Sequence, residues 1–113
     1  MKIVKNKSNG IVFQGDIAMM RVDSLPKDAK PEETQVVAHS ETGHHHLAER
    51  AKVFSVPDGE VLYMQALGKS IDIVHKRNYD THETIRLLGE PGQIWKIRRQ
   101  REHTPEGWRR VED

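Results

Sequence analysis

The sequence predicts an all-β fold: a small antiparallel β-sandwich or barrel of jelly-roll type with an extended N-terminal arm. Three observations carry this prediction. Turn signals recur about every ten residues, the spacing of short consecutive strands in such folds. The runs between them are rich in β-branched residues and alternate apolar with polar side chains. No segment sustains an apolar period of 3.6 residues; the best helix candidate, Leu47 to Lys52, is short.

The elements follow in order. Residues 1–9 are polar and basic and end at the turn pair Asn9-Gly10, so they read as an arm before a single domain over 10–113. Ile11-Val12-Phe13 begins a strand, Gln14-Gly15-Asp16 bends, and Ile17 to Val22 is a second strand. Asp23 to Glu33 holds Pro26, Pro31 and many charges and reads as a surface loop. Thr34 to His39 alternates and is β-branched. Ala51 to Val56 is a strand closed by Pro57-Asp58-Gly59, and Glu60 to Leu67 is a longer, central one. Ser70 to His75 places Ile71, Ile73 and His75 on one face. His82 to Leu88 and Gln93 to Glu102 complete the set, with Trp95 and Ile97 directed to the core and a short edge strand expected around Trp108.

Composition narrows the function. In 113 residues, 35% are hydrophobic and 5% aromatic, so the core is thin and built from Val, Ile, Leu and Met. A thin core favours support from partners or copies of the same chain. Eighteen basic and 17 acidic residues leave a net charge of +1, which disfavours a dedicated nucleic-acid binder. There is no cysteine, which excludes disulfides, thiolate metal sites and thiol nucleophiles. The basic N-terminus has no apolar run behind it, so neither a signal peptide nor a membrane span is expected. Ser70, Asp72 and His75 do not form a nucleophile–base–orienter set, and phosphate loops and HExxH are missing, so a non-enzymatic role is favoured over an enzyme.

The most chemical-looking feature is Thr42-Gly43-His44-His45-His46. Residues two apart on a strand share a face, so His44 and His46 pair and His45 lies beside Leu47. Two imidazoles on one strand face are a recurrent way to hold a divalent transition metal. His82 is the best third ligand, and Glu83 or Glu41 an accessory one. With Leu47 facing the core, His44, His46 and His82 fall on the opposite side. The alternative is that these histidines are polar strand and loop residues that cap backbone groups or meet a neighbouring chain.

Charge is segmented. Nine acidic residues face five basic ones between 16 and 60, whereas both ends are basic: Lys2, Lys5 and Lys7 in the arm, then Lys96, Arg98, Arg99, Arg101, Arg109 and Arg110. An anion-binding surface is one explanation. A partner-facing or solvated edge is the favoured one, because Glu102, Glu106, Glu112 and Asp113 lie close by. Trp108, in a Pro-Glu-Gly-Trp tail, is a candidate interface anchor.

Two resemblances emerge from these motifs. Gly43, His44 and His46, with Glu49 or Glu41 and Gly59, resemble the first half of a cupin metal motif; the glycine stands closer to the first histidine than in cupins, and the second cupin motif is not recognisable. More broadly, Gln14-Gly15-Asp16-Ile17, Val37 to His46, His82-Glu83-Thr84-Ile85 and Trp95 to His103 resemble a family of small uncharacterised bacterial and tailed-phage proteins. His103 replaces that family's usual aromatic residue, and Glu83-Thr84 replaces an acidic–histidine pair. This resemblance implies a compact β fold and a phage head decoration or cement protein. Such a protein would bind capsid protein or copies of itself through Lys2, Lys5, Lys7, the 23–33 loop, Arg98, Arg99, Arg101, Trp108, Arg109 and Arg110. The cupin resemblance implies instead a cytoplasmic metal-binding protein using His44, His46 and His82, with Glu83.

Overall fold

A computed structural model describes residues 1–5, 10–15, 17–38, 45–57, 61–76 and 83–99. The described strands are β1 (Lys2–Val4), β2 (Ile11–Gln14), β3 (Ile17–Val22), β4 (Lys30–Glu32), β5 (Val36–Ala38), β6 (His45–Glu49), β7 (Ala51–Ser55), β8 (Val61–Ala66), β9 (Ser70–Lys76), β10 (Ile85–Leu88) and β11 (Ile94–Arg99). They form two sheets, ordered β1-β10-β9-β6-β5 and β2-β3-β11-β8-β7-β4. Every pairing is antiparallel except that of β1 with β10. The all-β sandwich expected from the turn spacing is therefore the fold. Among the described residues no helix is long and apolar enough to cross a membrane.

Alternation within strands builds the space between the sheets. Ile17 and Met19 of β3, Met64 of β8, and Trp95 and Ile97 of β11 bury their side chains from one sheet; Ile71 and Ile73 of β9, with Ile85 and Leu87 of β10, do so from the other. The core is aliphatic, with Trp95 its large aromatic member, as the composition requires.

Leu47 to Lys52, the best helix candidate, is strand, as the lack of a helical period predicts: β6 ends at Glu49, β7 begins at Ala51, and the two strands belong to different sheets. Arg50 makes this corner alone, with φ of 65°. Its carbonyl accepts the Leu67 N–H, and its guanidinium reaches Ser70 and Asp72. Ala48 and Ala51, on either side of the turn, are both buried. The 23–33 segment departs from expectation in being more than a loop, since β4 falls inside it and pairs with β7. Pro31 is tolerated there because β4 is an edge strand. Leu25 and Ala29 pack on Phe54, Tyr63 and Ile94, making a small second core on the outer face of the six-stranded sheet.

Lys2–Val4, within the expected arm, lies along the edge of the five-stranded sheet in parallel register with Ile85–Leu87. The Lys2 N–H donates to the Thr84 carbonyl at 2.9 Å.

Candidate functional site

A polar cluster sits between the sheets where β2, β6 and β9 meet. His46 of β6 lies directly opposite His75 of β9 in the antiparallel register. Both side chains turn inward, 1% and 6% exposed, among the aliphatic residues of the core. Direct cross-strand neighbours on one face are close enough for ring contact. The two imidazoles are stacked, with centroids 3.9 Å apart and planes 11° from parallel.

The opposite sheet contributes Gln14, the last residue of β2 and 4% exposed. Its Oε1 stands 2.9 Å from His46 Nδ1. Its Nε2 donates to two carbonyls, Ile73 at 2.8 Å and Glu83 at 3.0 Å. One amide thus joins a strand of one sheet to three points on the other. An unsatisfied buried polar group costs about 1–3 kcal/mol, so this placement is strongly specified.

Gly15 follows at φ of 56°. A Cβ there would stand 3.2 Å from His46 Cε1 and 3.4 Å from His75 Cε1. The left-handed backbone favours glycine here, and a Cβ would also crowd the His46 ring.

The structure corrects the phase expected for the histidines. His46 faces the core together with Ala48, while Leu47 is half-buried on the outer side with His45. Taking Leu47, the largest apolar residue of the strand, as the core marker inverts the assignment. The Glu83 carboxylate is exposed and pairs with the N-terminal amine at 2.9 Å, and its backbone carbonyl accepts from Gln14 Nε2. His44, His82 and Glu41 lie outside the described residues. Among the described residues, no three His, Asp or Glu side chains gather where a metal would sit.

Of the basic residues expected to meet a partner, Lys2, Lys5 and Arg98 are exposed, and Arg99 pairs through its backbone with Ile17. Lys7, Arg101, Trp108, Arg109 and Arg110 lie outside the described residues. The outer face of the five-stranded sheet carries a second charged group. Asp72 accepts from Arg86 Nε and Nη2 at 2.8 and 3.0 Å and pairs with Arg50 at 3.1 Å. The Arg86 hydrogen bond holds the Asp72 carboxyl below its ordinary value against an opposing effect of burial, with Arg50 adding to the lowering. This network ties β9 to β10 and to the Arg50 corner.

Gln14 and His75 are the site residues that sequence reasoning did not select as such. Both follow apolar inward positions at a spacing of two, Val12 before Gln14 and Ile71 and Ile73 before His75. A polar side chain continuing an apolar face is the signal that marks them.

A family model described as a domain of unknown function, DUF8820, matches residues 13–100 and so includes Gln14, Gly15, His46 and His75. No curated protein and no solved structure matches the chain.

Proposed function

The chain belongs to the DUF8820 family of domains of unknown function, and from its site we propose that it is a non-enzymatic protein that binds a divalent transition metal at the end of the sandwich occupied by His46. The observation that carries this is the hydrogen bond of His46 Nδ1 to the buried Gln14 amide. A metal-ligating histidine characteristically has its other ring nitrogen held by a carbonyl or carboxylate, which orients the ring and fixes its tautomer. His44 precedes His46 by two residues on the same chain segment, and His82 stands just before Glu83, whose carbonyl enters the cluster. These two remain the proposed co-ligands. Imidazole donors without thiolates suit zinc, nickel, iron or copper. The test is elemental analysis of the full chain purified without nickel resin and supplied with each metal. One equivalent retained by the native chain and lost in H44A/H46A supports the proposal. No stoichiometric metal, or retention in that variant, overturns it.

A second role is favoured by the outer face of the six-stranded sheet. Ile11, Phe13 and Met20 are 54%, 40% and 38% exposed, next to Lys96 and Arg98 through the β2–β3–β11 register. An apolar patch with a basic rim suits a protein partner. Together with the resemblance to tailed-phage proteins, it supports a capsid decoration or cement role at the virion surface. Binding to purified undecorated capsids, with a rise in their heat resistance, is the expected result; absence of the protein from purified virions overturns it.

A further inference from the structure

We infer that Gln14 is a positioning residue that locks neutral His46 in the tautomer protonated at Nδ1, making Nε2 its electron-pair donor, and that the stacked His75 supports this ring without sharing its ligand. The inference rests on the metal-binding proposal only for the identity of that ligand. The tautomer follows from the amide geometry alone.

An amide nitrogen has two hydrogens and no acceptor capacity; an amide oxygen only accepts. Gln14 Nε2 spends both hydrogens on the carbonyls of Ile73 and Glu83. Exchanging the amide's oxygen and nitrogen would press Oε1 against two carbonyl oxygens. The orientation is thus dictated by the backbone of the first sheet, and Oε1 is what His46 Nδ1 meets at 2.9 Å. An oxygen without a hydrogen can only receive one, so Nδ1 carries the proton. In neutral imidazole one nitrogen is protonated and the other holds the lone pair. The lone pair is therefore at Nε2.

His75 cannot aim at the same ion. An imidazole lone pair lies in the plane of its ring. The two rings are stacked 3.9 Å apart and are within 11° of parallel, so an atom in the plane of one ring lies off the plane of the other. A metal at about 2.0–2.1 Å from His46 Nε2 lies in the His46 plane and off the His75 plane. Gly15 completes the arrangement by leaving room at both Cε1 edges. Gln14 fixes the proton, His75 fixes the tilt, and Gly15 admits the pair.

The experiment is long-range proton–nitrogen correlation NMR on the nitrogen-15-labelled full chain, at a pH where His46 is neutral. The expected spectrum shows a protonated, pyrrole-type Nδ1 and a pyridine-type Nε2 for His46. A protonated Nε2, or averaging between the two forms, overturns the assignment with no variant needed. Gln14→Met keeps the side-chain length but removes both amide functions, and the Nδ1–H preference should then be lost. If it persists in a folded Q14M chain, Gln14 is not its cause and the inference fails. Cobalt(II) is then added to the native chain. Perturbation centred on Nε2, with Nδ1 still protonated and cobalt affinity of His75→Phe within threefold of native, is expected. Tenfold or greater loss in H75F makes His75 a co-ligand and overturns its supporting role. If cobalt does not bind at all, the metal-binding proposal fails, and the tautomer measurement still decides the role of Gln14 by itself.

Discussion

The imidazole of His46 is sandwiched in function between two contacts of different kinds: a face-to-face stack with His75 and an in-plane hydrogen bond to Gln14. His46→Phe separates them, because it keeps a flat ring for the stack but has nothing to donate. Gln14 Oε1 is then left buried without His46, a loss of about 1–3 kcal/mol. Urea unfolding should show a lower midpoint with an unchanged slope. An unaltered midpoint would mean that the hydrogen bond adds nothing net to stability.

Gly15 and Gly92 both have positive φ, 56° and 91°, but their surroundings differ. A Cβ at Gly92 meets nothing within 4 Å, whereas one at Gly15 crowds the His46 ring at 3.2 Å and touches the His75 ring. Asparagine tolerates positive φ better than most residues. Gly92→Asn should therefore cost about 1 kcal/mol, the low end of the penalty for an L residue in a left-handed backbone. Gly15→Asn should cost more, about 2–3 kcal/mol, because an overpacking penalty adds to the backbone one. It should also shift the histidine ring resonances, which Gly92→Asn should leave in place. Equal thermal destabilisation of the two variants would show that the space at Gly15 is not restricted.

Much of this fold is legible in the sequence, and the exceptions are set by partners distant along the chain. Trp95 and Ile97 alternate with Lys96 and Arg98, and the first two are buried as alternation demands. Ile85 and Leu87 obey the same rule. The histidine strand misleads because alternation gives two equivalent phases, and choosing between them by residue size favours Leu47. The core instead accepts Ala48, and the position of His46 is settled by Gln14 and His75 from elsewhere in the chain. The separation is 32 residues for Gln14 to His46 and 59 for Gln14 to Ile73. No local pattern encodes partners so distant.

Asp72 supplies a pH-dependent contribution whose sign can be worked out. Its folded pKa lies below its ordinary 3.8 because the Arg86 guanidinium bonds the charged form. A depressed folded pKa means that the unfolded state takes up protons first as pH falls. The contribution is therefore complete above the ordinary aspartate range and is lost as pH drops from there through the lowered folded value. Asp72→Asn removes that dependence along with both arginine contacts. Its stability deficit should be full at pH 7 and shrink below pH of about 4. Unfolding midpoints measured from pH 7 to pH 3 give the check, and a deficit that stays constant over that range would sink the account.

Among the described residues, the outer face of the six-stranded sheet is covered at one end and more exposed at the other, and the two ends should respond differently to mutation. At the covered end Leu25 packs on Phe54, Tyr63 and Ile94, so the 23–29 segment acts as the sheet's own cover. Leu25→Ala strips apolar surface from that small core and should cost about 1–2 kcal/mol, below the range for fully buried leucines because Leu25 is half-buried. At the more exposed end Ile11 and Met20 sit opposite one another in the β2–β3 register, and Phe13 lies two residues along. Phe13 and Met20 keep 40% and 38% exposure, so Phe13→Ser and Met20→Ser should each cost about 1 kcal/mol from the part that is buried. What they should change more is association. If this face meets a protein partner, the folded double variant F13S/M20S loses binding to capsids at temperatures well below its own unfolding midpoint. The reverse outcome, a large loss of stability with binding preserved, would make these side chains structural and move the partner surface elsewhere.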